Sequence, residues 1–352
     1  MKSSPRRRRR CPFPDCSSHK KRHSRIVRHG RYRSRRGSRL RLLCRVCKRT
    51  FGARRGTVYY RLRNTRDAFD LAMRLQVEGL TQAAGARAVG ISVSTLARWR
   101  DRAALHARRF EAEYLSVRDP HELQLDELCA RGKGSPDETW IYSGLEVWSR
   151  IWAAKFVGRR TRRSTRLFLA SARRTCGHGP EPVLVTTDPY VYYEPELRRT
   201  FGPTCVYVQV ENLYRRDRIL RTESRLVFGH PHRYEAARAR LEDGKRPNTS
   251  YIERLNLFVR RSTSYLQRRT PAPAREARCL SDALDVLRCY YNFIKPHSTL
   301  RFGKVTWTPA MQAGIFKRAL TFREVFSWIP PPTKAPVGID FTVRPAREYG
   351  GS

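Results

Sequence analysis

The chain is short of acidic residues: 31 aspartates and glutamates stand against 73 lysines and arginines in 352 residues, a formal net charge of +42. An excess of this size repels itself in an isolated protein, so we expect a polyanionic partner. No apolar run approaches the length of a membrane-spanning helix, which favours nucleic acid over a membrane as that partner.

We do not expect a secretory signal either, because no apolar segment follows the arginines at residues 6–10. The nine cysteines are an odd number, which indicates a reducing cytosolic compartment rather than a disulfide scaffold. What the chain does have is 40% hydrophobic and 11% aromatic residues, a composition typical of a globular protein.

The positive charge is concentrated at the start of the chain. Residues 1–63 contain 24 lysines and arginines and one acid, Asp15, so this segment holds more than half of the net charge. The run Arg6–Arg10 is interpreted as a phosphate-binding arm, because this interpretation needs fewer assumptions than the alternative, a nuclear localisation signal.

Composition and periodicity predict four segments. Residues 1–62 form a basic, cysteine-bearing segment, and residues 63–110 are helical with breaks at Gly79 and Gly90. Residues 111–320 mix strands and helices, whereas residues 321–352 form a proline-rich tail. Five apolar runs predict strands in the third segment: "ELQLDEL", "TWIYSGLEVWS", "IWAAKFVG", "PVLVTTD" and "CVYVQV". Helices are predicted at 164–174, at 281–291 and in "PNTSYIERLNLFVRRSTSY".

Two close cysteine pairs predict a zinc site. Cys11 and Cys16 form "CPFPDC", and Cys44 and Cys47 form "CRVC". Each pair can hold one side of a tetrahedral ion, although the four-residue spacing of the first pair is wide. For that reason one histidine could replace a cysteine as ligand, and the candidates are His19, His23 and His29. The other five cysteines are interpreted as core thiols.

The segment "LTQAAGARAVGISVSTLARWRDRA" predicts two helices joined at residues 90–92. Ser92 can cap the second helix, and Ile91, Leu96 and Trp99 can fill the angle between the two. The second helix is then expected to present polar side chains to the major groove and flanking phosphates of DNA. These DNA-binding candidates are Ser94, Thr95, Arg98 and Arg100. A plain helical hairpin is the alternative interpretation.

Three acids occupy positions suited to catalysis. Asp126 lies in the middle of a predicted strand, with Gln124 on the same face and Glu127 on the other. Asp188 follows an apolar strand, and Glu253 lies in the first turn of an arginine-rich helix. Each position also has an ordinary explanation: a surface acid on an edge strand, a turn initiator before proline, and, for Glu253, a capping box with Ser250.

The order Asp126, Asp188 and Glu253 on strand, strand end and helix resembles the DDE transposases. The segments "LDE", "YSGLEVWSRIWAAKFVGRRT", "VTTD", "NTSYIERLNL" and "TPAMQAG" are similar to transposases of the insertion-sequence-one type. The resemblance covers about residues 10–320, and "NTSYIERLNL" is its most specific element. The wide first cysteine pair departs from the family pattern.

The resemblance implies an α/β fold: a ribonuclease-H-like mixed sheet with flanking helices, preceded by a small zinc ribbon and an all-α helix-turn-helix domain. It implies that Asp126, Asp188 and Glu253 hold two Mg²⁺ or Mn²⁺ ions, and that Zn²⁺ occupies the cysteines. The three carboxylates would then support cleavage and joining of DNA strands without a covalent protein–DNA bond. Arg260 and Arg261 would face the DNA backbone.

The same resemblance implies double-stranded DNA partners (the element ends and the target), a homo-oligomer on DNA, no membrane partner, and a cytoplasmic, nucleoid-associated location. Glu127 is a possible auxiliary acid. His297 in "YYNFIKPHSTL" is interpreted as structural, with a metal or phosphate contact as the alternative, and Tyr291 and Asn292 as packing or capping residues.

Two other functions remain open at the level of sequence. A non-catalytic DNA-binding protein derived from a transposase would keep the zinc site and the helix pair, but the intact acidic trio argues against decay. A tyrosine recombinase would need a tyrosine nucleophile with arginine and histidine partners, and a covalent tyrosyl–DNA adduct would identify it.

Overall fold

The computed structural model describes residues 10–20, 25–34, 37–131, 138–177, 181–215, 218–242, 246–266 and 276–331. The chain divides into two compact units, one formed by Met1–Arg63 with Phe326–Ser352 and the other by Asn64–Val325. Arginines 6–9 of the expected arm, His23 and most of the proline-rich tail lie outside the described residues.

The first unit is built on a small antiparallel sheet. A short helix α1 (Ser17–Lys20) precedes strands β1 (Ile26–Ser34), β2 (Gly37–Cys44) and β3 (Thr50–Gly52). β2 pairs with both neighbours. Leu42 and Phe51 point into a core that also contains three of the four paired cysteines, so the cysteines form part of the interior of this unit.

Three helices begin the second unit: α2 (Arg66–Val77), α3 (Gln82–Val89) and α4 (Val93–Tyr114). Gly90 has a φ of 72° and ends α3 in the left-handed conformation, which glycine adopts without strain. The Ser92 hydroxyl accepts a hydrogen bond from the N–H of Thr95, so the predicted cap is confirmed. Leu96 and Trp99 are buried, as predicted.

A six-stranded mixed sheet forms the centre of the second unit. Its strands are β4 (Glu122–Arg131), β5 (Thr139–Glu146), β6 (Ile151–Gly158), β7 (Val183–Thr187), β8 (Cys205–Arg215) and β9 (Arg218–Phe228). Their order is β6-β5-β4-β7-β8-β9. β4 pairs in parallel with β7, and β7 with β8, whereas the other pairs are antiparallel. β4 therefore lies inside the sheet, not at its edge.

Helices flank this sheet: α5 (Arg162–Cys176), α6 (Tyr193–Thr200), α7 (Pro231–Ala239), α8 (Ser250–Ser262) and α9 (Ala277–Phe293). A hairpin of β10 (Arg301–Phe302) and β11 (Val305–Thr306) and the short helices α10 (Pro309–Gln312) and α11 (Phe322–Phe326) follow. The mixed α/β architecture is confirmed, and so are the five predicted strands and the helices predicted at 164–174 and 281–291. Within the described part of the chain, no helix combines the length and apolarity needed to cross a membrane.

The C-terminal half of α4 packs on α9 through buried ion pairs. Arg288 donates to Glu111 at 2.6 Å, and Arg108 donates to Asp282 at 2.7 Å and to Asp285 at 2.6 Å. The predicted boundary near residue 110 thus falls within a helix that joins the helical segment to the sheet. The four-part division stays a prediction.

Candidate metal centres

The four paired cysteines converge in the first unit. Cys11 and Cys16 flank the loop before α1, Cys44 ends β2, and Cys47 lies in the turn before β3. One sulfur from each lies within 4.8 Å of the others. The Cys11 and Cys47 sulfurs are 3.8 Å apart, and so are those of Cys16 and Cys44. An ion bound about 2.3 Å from four sulfurs would set them about 3.8 Å apart, so the thiols fit a tetrahedral zinc site.

The candidate histidine ligands do not join this group among the described residues. His19 is buried and its Nδ1 forms a hydrogen bond with the carbonyl oxygen of Cys11, while His29 is exposed on β1. Burial raises the pKa of Cys11 and Cys16. Burial also opposes ionisation of Cys47, but hydrogen bonds from the backbone and side chain of Arg49 lower the pKa of Cys47 to about 6.

The acidic candidates meet where β4 and β7 run side by side. Gln124 lies opposite Thr186 in this parallel pair, and continuing the register by two residues brings Asp126 level with Asp188. Glu127 belongs to the opposite strand face, yet its carboxylate reaches the same place. One oxygen from each of Asp126, Glu127 and Asp188 lies within 4.8 Å of the others. We call these three residues the acidic cluster.

Several oxygens of the acidic cluster are held in place, and others have no donor. Asp126 accepts hydrogen bonds from the N–H of Glu127 and the side-chain amide of Asn256, both at 2.7 Å. Arg160 donates to Glu127 at 3.0 Å. Within the part of the chain that the structure describes, Oδ1 of Asp188 and Oε1 of Glu127 are buried and receive no hydrogen bond. Buried acceptors without donors are rare in proteins and are suited to a cation.

The acidic cluster is electrostatically unfavourable on its own. Burial, followed by the charge of Asp188, raises the pKa of Asp126 to about 7. Burial also raises the pKa of Glu127 to about 7 and that of Asp188 above its ordinary value. Closely spaced acids with raised pKa values are typical of functional sites. These hard oxygen ligands fit Mg²⁺ or Mn²⁺ rather than a thiophilic metal.

In the structure, Glu253 lies outside the acidic cluster. Its side chain is exposed and accepts a hydrogen bond from the Thr249 hydroxyl at 2.8 Å. Its charge still contributes to the raised pKa of Asp126. The alternative capping box with Ser250 is wrong, because the helix begins one residue earlier than that motif requires: Thr249 is the N-cap and forms no side-chain cap.

The cap of α8 comes from the sheet instead. The side-chain oxygen of Gln124, two residues before Asp126, accepts hydrogen bonds from the N–H groups of Tyr251 and Ile252 at 3.1 and 3.0 Å. The amide of Gln124 donates to Glu122 at 2.9 Å, and Glu122 also accepts from the Thr186 hydroxyl at 3.3 Å.

This buried network links the three elements that carry the candidate acids. Thr186 precedes Asp188 by two residues on β7, and Gln124 holds the N-terminus of the helix that carries Glu253. The sequence could show the alternation that puts Gln124 beside Asp126. It could not show that the side chain reaches a helix more than 120 residues away.

Three of the four DNA-binding candidates on α4 lie at the surface. Ser94 and Arg98 are exposed and Thr95 is half-buried, with the Arg98 side chain donating to the Ser94 carbonyl oxygen at 3.3 Å. Arg100 was expected to face outward, and that prediction is wrong. It is buried and donates to the Tyr265 hydroxyl at 2.5 Å, because it follows the buried Leu96 by four residues and so lies on the packed face.

The remaining candidates fall on α8 and α9. Arg260 and Arg261 are exposed near the end of α8. The side chain of Asn292 exchanges two hydrogen bonds with the backbone of Trp152 on the edge strand β6, at 2.9 and 3.1 Å. The ring of Tyr291 packs against Trp152 and His297. These contacts of Tyr291 and Asn292 are structural.

Comparison with models of known protein families gives no match, and no curated protein matches the chain. Its function therefore has to be inferred from its own residues.

Proposed function

We propose that this protein is a transposase of the DDE class, similar to the insertion-sequence-one type, which cleaves and joins DNA strands at the ends of a mobile element. The observation that carries the proposal is the acidic cluster, in which Asp126, Glu127 and Asp188 each bring an oxygen within 4.8 Å of the others. Among the described residues, Oδ1 of Asp188 and Oε1 of Glu127 are also buried without a donor. Mixed-sheet architecture with the first acid on an inner strand and the second at the end of its parallel neighbour is what a ribonuclease-H-like core requires.

Each residue has a definite task in this proposal. Asp126 and Asp188 supply the two fixed carboxylates, and Asn256 with the Glu127 N–H orients Asp126. Glu253 supplies the third carboxylate from the first turn of α8, whose position depends on Gln124. Arg160 neutralises Glu127, so we assign Glu127 a supporting role. Bound at these carboxylates, Mg²⁺ or Mn²⁺ would activate water or a DNA 3′-hydroxyl and stabilise the leaving oxygen.

The rest of the chain supports a DNA-bound function. The first unit presents arginines on its small sheet, and Arg28, Arg31, Arg33 and Arg41 are exposed there. We propose that this unit is a zinc ribbon and that α3 and α4 form a helix-turn-helix, with Ser94, Thr95 and Arg98 toward DNA. Arg260 and Arg261 extend the basic surface along the helix that carries Glu253. A homo-oligomer on two element ends is part of the proposal.

A non-catalytic DNA-binding protein is the second candidate, and one observation favours it. Glu253 is exposed and is held by Thr249, outside the acidic cluster. A protein that only binds DNA needs no third carboxylate near Asp126. The experiment below separates the two functions because it measures binding and cleavage on the same DNA.

The test uses duplex DNA carrying the inverted repeats that flank the coding sequence, with Mg²⁺ or Mn²⁺. We expect Asp126→Asn, Asp188→Asn and Glu253→Gln each to reduce strand cleavage by about a hundredfold or more, because each removes a charge that holds the cation. DNA binding should persist in all three. Glu127→Gln should retain part of the activity.

Matched controls are Glu181→Gln and Asp101→Asn, which remove an acid elsewhere in the same unit. Absence of cleavage by the wild-type protein on its own flanking repeats, with binding intact, would identify the second candidate. Full activity of Glu253→Gln together with an inactive Glu127→Gln would show that the third carboxylate is Glu127 on β4 rather than Glu253 on α8.

A further inference from the structure

A second site lies on the other flank of α8. Tyr251, Arg254 and Phe258 line a pocket together with Arg150, Lys295 and His297. These α8 positions are separated by three and four residues, so they form one stripe of the helix. Glu253 and Asn256 occupy a stripe on the opposite flank, toward Asp126. The pocket is therefore distinct from the acidic cluster and separated from it by the helix.

The pocket is positively charged. Arg150, Arg254 and Lys295 are its charged residues, and no acid is among the side chains that line it in the described part of the chain. Among the residues that the structure describes, Arg150 has a close acidic partner, Glu242 at 2.7 Å, whereas Arg254 and Lys295 have none. Burial and then the charges of Arg150, Lys295 and Arg254 lower the pKa of His297 to about 4. His297 is thus neutral at pH 7, and Arg254 and Lys295 are available to an anion.

The pocket also offers flat aromatic surface. Phe258 is partly exposed and packs against Tyr291 with ring centroids 5.2 Å apart. The ammonium of Lys295 lies 6.0 Å from the centroid of Phe258, and the guanidinium of Arg150 covers Tyr251 at 4.1 Å. An aromatic face beside two cations matches the two halves of a nucleotide, since bases stack on aromatic rings and phosphates pair with Arg and Lys.

We propose that this pocket binds a single nucleotide, with its base stacked on Phe258 and its phosphate between Arg254 and Lys295. The nucleotide could belong to a DNA strand or be free in solution, since the recognising chemistry is the same. Assignment to DNA rests on the proposed function. A single DNA strand would then pass both flanks of α8, with one phosphate at the acidic cluster and an unpaired nucleotide in the pocket.

The test measures base stacking without measuring cleavage. Full-length protein is titrated into a single-stranded oligonucleotide containing 2-aminopurine, whose fluorescence falls when the base stacks. We expect Phe258→Leu to remove the quenching and to weaken binding about fivefold or more. Arg254→Gln combined with Lys295→Gln should weaken binding as well, and these surface substitutions leave the core intact.

A matched control lies on the same helix. Leu257→Ala removes an exposed apolar side chain beside Phe258 and should keep the quenching. Reversal of the quenching by free dAMP would show that the pocket also accepts a free nucleotide, whereas quenching that dAMP leaves unchanged would assign it to DNA. Equal quenching in wild type and Phe258→Leu, or equal loss in Leu257→Ala, would overturn the proposal.

Because no cleavage is read, the outcome is independent of the proposed enzyme. If quenching depends on Phe258 but the protein never cleaves DNA, the pocket proposal stands and the transposase proposal is wrong. If the protein cleaves DNA but quenching does not depend on Phe258, the transposase proposal stands and the pocket proposal is wrong.

Discussion

Without a divalent cation, the acidic cluster should destabilise the folded protein at neutral pH, and Asp126→Asn should relieve this. The pKa of Asp126 is raised from 3.8 to about 7 by burial and by Asp188. A carboxyl group whose pKa is raised in the folded state contributes nothing while it is protonated in both states, and it disfavours folding once the unfolded chain ionises. Its unfavourable contribution is absent below pH 4, grows between pH 4 and 7, and is complete above pH 7.

The magnitude follows from these two pKa values. At about 1.4 kcal/mol per pH unit, the difference between 3.8 and about 7 corresponds to about 4 kcal/mol above pH 7. Asparagine removes this contribution but weakens the hydrogen bond from Asn256, which costs about 1 to 1.5 kcal/mol. We therefore expect Asp126→Asn to be about 2 to 3 kcal/mol more stable than wild type at pH 8, and no more stable at pH 4.

Urea unfolding of both proteins between pH 4 and pH 8 measures this difference. The buffers contain no added divalent ion and no chelator. Glu181→Gln is the control, because it removes an exposed acid from the same unit. Added Mg²⁺ should stabilise wild type more than the variant, since ligand binding to the folded state alone adds to its stability. A variant no more stable than wild type at pH 8 would refute the reasoning.

Three further predictions concern the zinc site, the helix cap and the DNA surface. Full-length protein should contain about one zinc ion per chain by elemental analysis, and the Cys47→Ser variant should lose it. Zinc retained in the Cys47→Ser variant would exclude the four-cysteine site. Gln124→Met should lower the free energy of unfolding by about 2 to 5 kcal/mol and reduce cleavage, because the N–H groups of Tyr251 and Ile252 lose their acceptor. Gln209→Met on β8 is the matched control, and equal activity of Gln124→Met and wild type would contradict the prediction. Arg98→Gln should weaken DNA binding and reduce the slope of log affinity against log salt by about 0.9. Arg100→Gln should mainly lower stability in urea, and the opposite pattern would show that Arg100 rather than Arg98 contacts DNA.

Local patterns in the sequence were enough for much of this structure. Alternation placed Asp126 on the same strand face as Gln124, and the serine before α4 identified its cap. Arg100 was also predictable, since its spacing of four residues from Leu96 is the spacing of a buried stripe. The position of Glu127 was not. Adjacent strand residues point to opposite faces, and only the packed structure shows that the carboxylate of Glu127 comes within 4.8 Å of Asp126 and Asp188.

The charge of the protein and the charge of its acidic cluster act over different distances. Under the proposed function, the net charge of +42 attracts DNA, and salt limits this attraction to about 10 Å beyond the surface. The carboxylates repel a phosphate only at close range, where Asp126, Glu127 and Asp188 lie together, partly shielded from water. DNA should therefore bind without Mg²⁺ while its phosphate stays away from Asp126. A cation held by these carboxylates would remove that last repulsion. We therefore expect the approach of the phosphate, rather than the binding of DNA, to depend on the metal.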